Sequence, residues 1–291
     1  MTDFFSPDYF TARTRFCSGV LANGGQIESI LLDAKGPRGE DLSIDIGWFG
    51  SLEPKRAFVH SSGLHGVEGF AGSAIQLQWL EEAAPLPPAD GAIVIVHALN
   101  PFGMAWLRRV NENNVDLNHN FLAADEKYEG APAGDPFLLR AAYRMLRQRD
   151  LEGQYEFPRG LAFGGKRHEQ TTRRFQLYIS GKLANAERII AIDVHTGPGR
   201  FGEAPAKGSL EGLYHRMFPG TDVRFTEQQF ATRNGLRILT AIRSGNNLYE
   251  VFCPGSTKWR NRVLESGKEA IEDGLAEAFE ALAATHGMAT D

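Results

Sequence analysis

Five short apolar runs, separated for the most part by helical stretches, constrain this chain more than any other feature. They are Ala57-Phe58-Val59-His60, Ala92-Ile93-Val94-Ile95-Val96, Ile189-Ile190-Ala191-Ile192-Asp193-Val194, Arg237-Ile238-Leu239-Thr240-Ala241-Ile242 and Asn247-Leu248-Tyr249-Glu250-Val251-Phe252. Runs this short and this apolar are typical of strands covered on both faces. Helical patterns occupy residues 69–82, 102–112, 136–149, 169–186 and 258–285. Ahead of them, residues 9–24 read as an amphipathic helix ending at Gly24-Gly25. The alternating segments Glu28 to Ala34 and Leu42 to Trp48 then flank Gly36-Pro37-Arg38-Gly39, a hairpin-like signal. Strands alternating with helices predict an α/β fold, with a mixed, mostly parallel sheet flanked by helices on both faces. No repeat or low-complexity tract interrupts the 291 residues, so one domain over residues 1–291 is expected. Within it, the stretch 122–188 is long enough to form a lid.

Charge narrows the partners. The 31 basic and 36 acidic residues leave a net charge of −5, and no long Lys/Arg run offsets it, which argues against nucleic acid or an anionic membrane as partner. No stretch approaches the ~20 apolar residues that cross a bilayer. The N-terminus is acidic and lacks an apolar run of signal-peptide length. With only Cys17 and Cys253, the chain suits a reducing compartment, and the cytoplasm is the expected location. The sequence specifies no oligomeric state.

In sheets of this kind, ligands bind beyond the carboxyl ends of the strands. The first run leads into His65-Gly66-Val67-Glu68, an H-x-x-E pair opening a helix, and the third leads into His195. Two imidazoles and a carboxylate are a donor set that a catalytic Zn²⁺ accepts, with one position left for water. His65, Glu68 and His195 are therefore the expected ligands of one zinc per chain. His60 and His97 read as structural strand-end histidines. Ser61 and Ser62 lack a G-x-S-x-G context, which argues against a serine hydrolase, and the Gly-rich pieces lack a phosphate-loop lysine.

After the second run stand Asn100-Pro101-Phe102-Gly103, then Arg108-Arg109-Val110-Asn111 and Asp116-Leu117-Asn118-His119-Asn120-Phe121. Together with the H-x-x-E pair and Asp193-Val194-His195-Thr196-Gly197, these segments resemble the signature of the zinc carboxypeptidase A/aspartoacylase superfamily. Gly63 to Gly69 and Gly164-Gly165 resemble an uncharacterised prokaryotic branch of it. The resemblance implies a phosphorylase/hydrolase-like α/β fold and a zinc metallohydrolase. Carried over by position, it makes His65, Glu68 and His195 the zinc ligands and Glu250 the general base. It gives Arg109 the task of holding the oxyanion, with Arg108 one residue away as the alternative. Asp116 would receive the other ring N–H of His65, and Asn118 would line the substrate pocket.

One departure bears on specificity. His119 stands where the superfamily commonly has an arginine that helps clamp a terminal carboxylate, a task histidine performs poorly. Arg243 is the first substitute, with Arg173 and Arg174 behind it. The expected reaction is hydrolysis of an amide bond in a small peptide or an N-acylated amino acid. The alternatives are an amidase or deacylase indifferent to a free carboxylate, or a non-catalytic zinc-binding member of the fold.

Overall fold

The hairpin predicted from the alternating segments is β1 (Gln26–Lys35) and β2 (Asp41–Gly50), paired antiparallel. In the computed structural model, which describes residues 3–82, 86–123, 164–197, 208–232 and 248–280, these strands form one side of a six-stranded sheet. The apolar runs supply β3 (Arg56–Ser62), β4 (Gly91–His97) and β5 (Arg188–Gly197), and β6 (Asp222–Ala231) closes the other side. The order is β1-β2-β4-β3-β5-β6. β3 runs parallel to both β4 and β5, β5 runs parallel to β6, and β2 is antiparallel to β4. The sheet is therefore mixed and mostly parallel.

Alternation along the strands divides the core in two. Phe58, Ile93, Ile95, Ile190, Ile192 and Val194 face one layer, with α1 (Tyr9–Ala22), α2 (Gly69–Glu81) and α7 (Thr257–Phe279). Ala57, Val59, Val94, Val96, Ile189 and Ala191 face the other, with α4 (Gln170–Lys182) and α5 (Leu210–Met217). Both faces are covered, which is why these strands read as continuous apolar runs. Phe175 and Ile179 of α4 are fully buried, so the described end of the 122–188 stretch belongs to a core layer. α2 lies very close on β3 and β5. A Cβ at Gly72 would stand 2.5 Å from Ser62 Cβ and 3.2 Å from Val194 Cβ.

The structure departs from the sequence-based expectation in three places. The expected strand Asn247–Phe252 is, over Leu248–Phe252, the short helix α6, with Tyr249 Oη donating to Ser6 O at 2.9 Å. The expected helix 102–112 stops early, as α3 (Pro101–Ala105). Leu107 takes a positive φ of 53°, and Arg108 N turns back to Gly103 O at 2.6 Å. β6 was not anticipated, because half of an edge strand such as Thr226-Glu227-Gln228-Gln229 carries polar side chains. The helix expected over 136–149, the run Arg237–Ile242 and Arg243 lie outside the described residues. Among the described residues, no helix is long and apolar enough to cross a membrane.

Candidate metal centre

The parallel strands β3, β4, β5 and β6 deliver their carboxyl ends to one region, as an α/β sheet requires. Beyond β3 the chain makes a single 3₁₀ turn, Gly66–Glu68, that runs directly into α2. The segment after β4 is stitched onto it. Leu99 N and Asn100 N donate to Ser62 O and Gly63 O, both at 2.9 Å, and Val67 N donates to Arg108 O at 2.8 Å. The approach is close enough to demand glycine at position 66. Its φ is +51°, and a Cβ there would lie 2.2 Å from Arg108 O. Asn100 fixes the start of α3 by accepting from Gly103 N at 2.9 Å.

His65, Glu68 and His195 come together in this region, all at or below 5% exposure. The two imidazole rings stand 5.0 Å apart. Glu68 Oε2 accepts from Thr196 N at 2.9 Å and lies 3.9 Å from His195 Nδ1. His65 Nδ1 is 3.1 Å from Asp116 Oδ1. Its Nε2 is 3.0 Å from Arg109 Nη2. A guanidinium can only donate, so Nε2 accepts and the ring proton belongs on Nδ1, toward Asp116. On the other ring, His195 Nε2 is 2.7 Å from Asp193 Oδ2. Each imidazole thus has a carboxylate behind one nitrogen; the other nitrogen of His195 lies toward Glu68, and that of His65 toward the Arg109 guanidinium. This is the arrangement that carboxylates impose on metal-ligating histidines.

Arg109 rather than Arg108 reaches the centre. Its Nη1 donates to Glu68 Oε1 at 2.5 Å, and its Nη2 also donates to Asp116 Oδ2 at 3.3 Å. Arg108 is buried, with its guanidinium 5.4 Å from the Phe102 ring centroid and 5.6 Å from that of Trp106. Among the described residues, no group of three or more His, Cys, Asp or Glu side chains is arranged to hold a metal ion as it stands. The Arg109 guanidinium bridges Glu68 and His65 instead. The donor chemistry nevertheless fits zinc, with two imidazoles and a carboxylate buried side by side and a cation already drawn between two of them.

The remaining expected residues are less central. Asn118 is buried with both ends of its amide in use. Oδ1 accepts from Leu210 N at 3.0 Å, and Nδ2 donates to Glu227 Oε1 at 3.4 Å. His119 is half-buried beside it. The Glu250 side chain is exposed, and its carboxylate accepts from Gly255 N at 3.1 Å. Arg174 is tied to the Leu31 carbonyl and to Asp33 of β1, at the far edge of the sheet. Sequence reasoning missed Asp193 and Ser61, whose Oγ donates to Asp193 Oδ1 at 2.6 Å. The signal for Asp193 was its place two residues before His195, on the same strand face.

Burial alone would raise the Asp116 carboxyl. The electrostatic pull of the His65 ring N–H and of the Arg109 guanidinium, with the hydrogen bond from His65, outweighs it and holds the group far below the usual carboxylate range. For His195, burial alone would lower the pKa, but Asp193, then Glu68 and Glu227, raise it to about 9. Arg109 and a protonated His195 thus offset two of the three negative charges of Glu68, Asp116 and Asp193.

Fold and site together define a three-layer α/β protein with a His–Glu–His set at the carboxyl edge of its parallel strands. The family described as protein of unknown function DUF2817 matches residues 5–136 and 133–206, more than half of the chain, and the protein belongs to that family. No curated protein sequence matches it. Several solved structures align along most of its length at low identity. A provisionally assigned metallopeptidase from Shewanella amazonensis SB2B is 13% identical over 94% of this chain and 94% of its own, with a TM-score of 0.48. The product-bound ectoine utilization protein EutE of Ruegeria pomeroyi is 13% identical over 87% of this chain and 67% of its own, with a TM-score of 0.45. Thrombin-activatable fibrinolysis inhibitor is 12% identical over 94% and 74%, also at 0.45. At this level the likeness concerns the course of the chain, not its chemistry.

Proposed function

We propose that this protein is a zinc-dependent hydrolase of an amide bond in a small peptide or an N-acylated amino acid. The observation that carries the proposal is the pair of imidazoles 5.0 Å apart beside buried Glu68, each with its own carboxylate at one nitrogen, Asp116 for His65 and Asp193 for His195. His65, Glu68 and His195 would hold the ion. When bound, such an ion supplies a water of near-neutral pKa and a Lewis acid for a carbonyl.

The chain's own groups do the rest. Asp116 and Asp193 fix the ring orientations by engaging the outer nitrogen of each imidazole, so that the inner nitrogen is the one left to ligate once its proton is released. Arg109, 30% exposed and rooted beside the ligand turn, can turn its guanidinium onto the negative charge that develops on the substrate oxygen. Glu250 would take the proton of the attacking water and pass it to the leaving amine. In that role its carboxylate has to leave the Gly255 amide. The whole chain would act as one catalytic domain. Free thiols at half-buried Cys17 and buried Cys253 suit a cytoplasmic location.

One observation favours the deacylase reading over a carboxypeptidase. Both ends of the Asn118 amide are committed to Leu210 and Glu227, and His119 is no substitute for a forked cation. A test is hydrolysis of N-acetyl amino acids and dipeptides by protein stripped with a chelator and then reloaded with zinc. The proposal expects activity to disappear and return. Equal turnover with and without metal, or none in the loaded protein, would refute it.

A further inference from the structure

In the structure, the Arg109 guanidinium is already engaged by the very atoms that the proposed ion would use. Nη1 binds Glu68 Oε1 at 2.5 Å, and Nη2 shares the His65 Nε2 lone pair at 3.0 Å while reaching Asp116 Oδ2 at 3.3 Å. A lone pair that accepts a guanidinium proton cannot also bind a metal ion. Two cations side by side between the same anions would also repel each other.

The backbone leaves the arginine little choice of position. Arg108 O accepts from Val67 N at 2.8 Å, Arg108 N donates to Gly103 O at 2.6 Å, and Asn100 Nδ2 donates to Arg109 O at 3.4 Å. The Arg109 Cα is therefore fixed against the turn that carries His65 and Glu68. Only rotation of its side chain, which is open to solvent on one side, can take the guanidinium away.

We infer that Arg109 is a built-in counter-cation. In the metal-free protein it holds Glu68 and His65 in place, and it releases both when a divalent ion binds, so it sets how tightly the site loads. This rests on the metal reading of the same site. It makes Arg109 a positioning residue for His65 and Glu68, separate from any contact with substrate.

The test is zinc affinity, read by competition with a chromogenic chelator, for wild type, Arg109→Gln and Arg109→Lys. Melting temperatures are taken for each, metal-free and zinc-loaded. A charge-assisted hydrogen bond that must break on loading corresponds to roughly 10–100-fold in affinity. Arg109→Gln should therefore bind zinc about that much tighter. Its metal-free form should melt lower than wild type, while its zinc-loaded form should not. Arg109→Lys keeps the charge but cannot bridge, and should fall between the two; it also serves if the Gln variant fails to fold. Affinity equal to or weaker than wild type, or equal loss of melting temperature in both forms, would overturn the inference alone. Failure of both wild type and Arg109→Gln to take up zinc would overturn the metal reading, and this inference with it.

Discussion

Lowering the pH of the metal-free protein from 7 to 5 should remove about 3 kcal/mol of stability, mostly through two histidines outside the site. His60 and His97 are fully buried. His60 Nδ1 lies 3.2 Å from Gln76 Nε2, and His97 Nε2 lies 3.1 Å from Ser73 Oγ, its ring stacked on Phe16 at 5.0 Å. Burial lowers each pKa from 6.5 to about 4, against the weaker upward pulls of Asp193 on His60 and Asp45 on His97. With the folded value below the unfolded one, the unfolded chain takes up protons first. The stability is present above pH 6.5 and is lost as the pH falls toward 4. Linkage gives a loss of about 2 kcal/mol per histidine between pH 7 and 5, or about 4 together. His195 acts in the opposite sense. Its folded value, about 9, exceeds the unfolded one, so its contribution is full below pH 6.5 and lost as pH rises through 9. Between pH 7 and 5 it returns about 1 kcal/mol. Guanidinium unfolding at pH 5, 6 and 7 with chelator present measures the net change. His97→Gln, which offers Ser73 a partner but takes no proton, should remove about half of the 4 kcal/mol loss. A wild-type stability that is flat between pH 7 and 5, or an unaltered slope in His97→Gln, would refute the reasoning.

Three further outcomes follow from the site. Glu250→Gln should keep the fold and zinc affinity while lowering kcat by roughly 10²–10⁴-fold; steady-state turnover within about threefold of wild type would reassign the proton transfer. With His119 in place of an arginine, kcat/KM for an acyl-amino acid should exceed that for its C-terminal amide by less than about 10-fold. A preference above about 100-fold that vanishes in Arg243→Ala would locate a carboxylate contact at Arg243 instead. Gly66→Ala forces a side chain into a positive-φ position against Arg108 O and should destabilise the protein by about 2 kcal/mol or more. An unchanged melting curve would contradict the close packing of the two site segments.

Much of this architecture was legible from periodicity. The doubly covered strands β3, β4 and β5 have no polar face and announce themselves as apolar runs, and the turn residues 36–39 mark the hairpin. Where the sequence misled, tertiary contacts had overridden local pattern. Leu248–Phe252 is too short for its period to separate strand from helix, and Tyr249 is committed to Ser6. The helical pattern beyond Ala105 yields to the backbone bonds that bind Arg108 to Gly103 and Val67. At the site, the spacing of His65 and Glu68 and the strand-end place of His195 were readable. The choice of Arg109 over Arg108 depended on which guanidinium the Phe102 and Trp106 rings engage, which no spacing encodes. The involvement of Ser61 depended on strand register, since it is paired with Asp193 across β3 and β5.

The most direct measurement is anomalous diffraction at the zinc edge from crystals of the zinc-loaded protein. The account predicts one strong peak per chain, about 2.0–2.2 Å from a nitrogen of His65, a nitrogen of His195 and an oxygen of Glu68, with the Arg109 guanidinium withdrawn from Glu68. A peak bound by other side chains, or no peak with Arg109 still bridging Glu68 and His65, would contradict it.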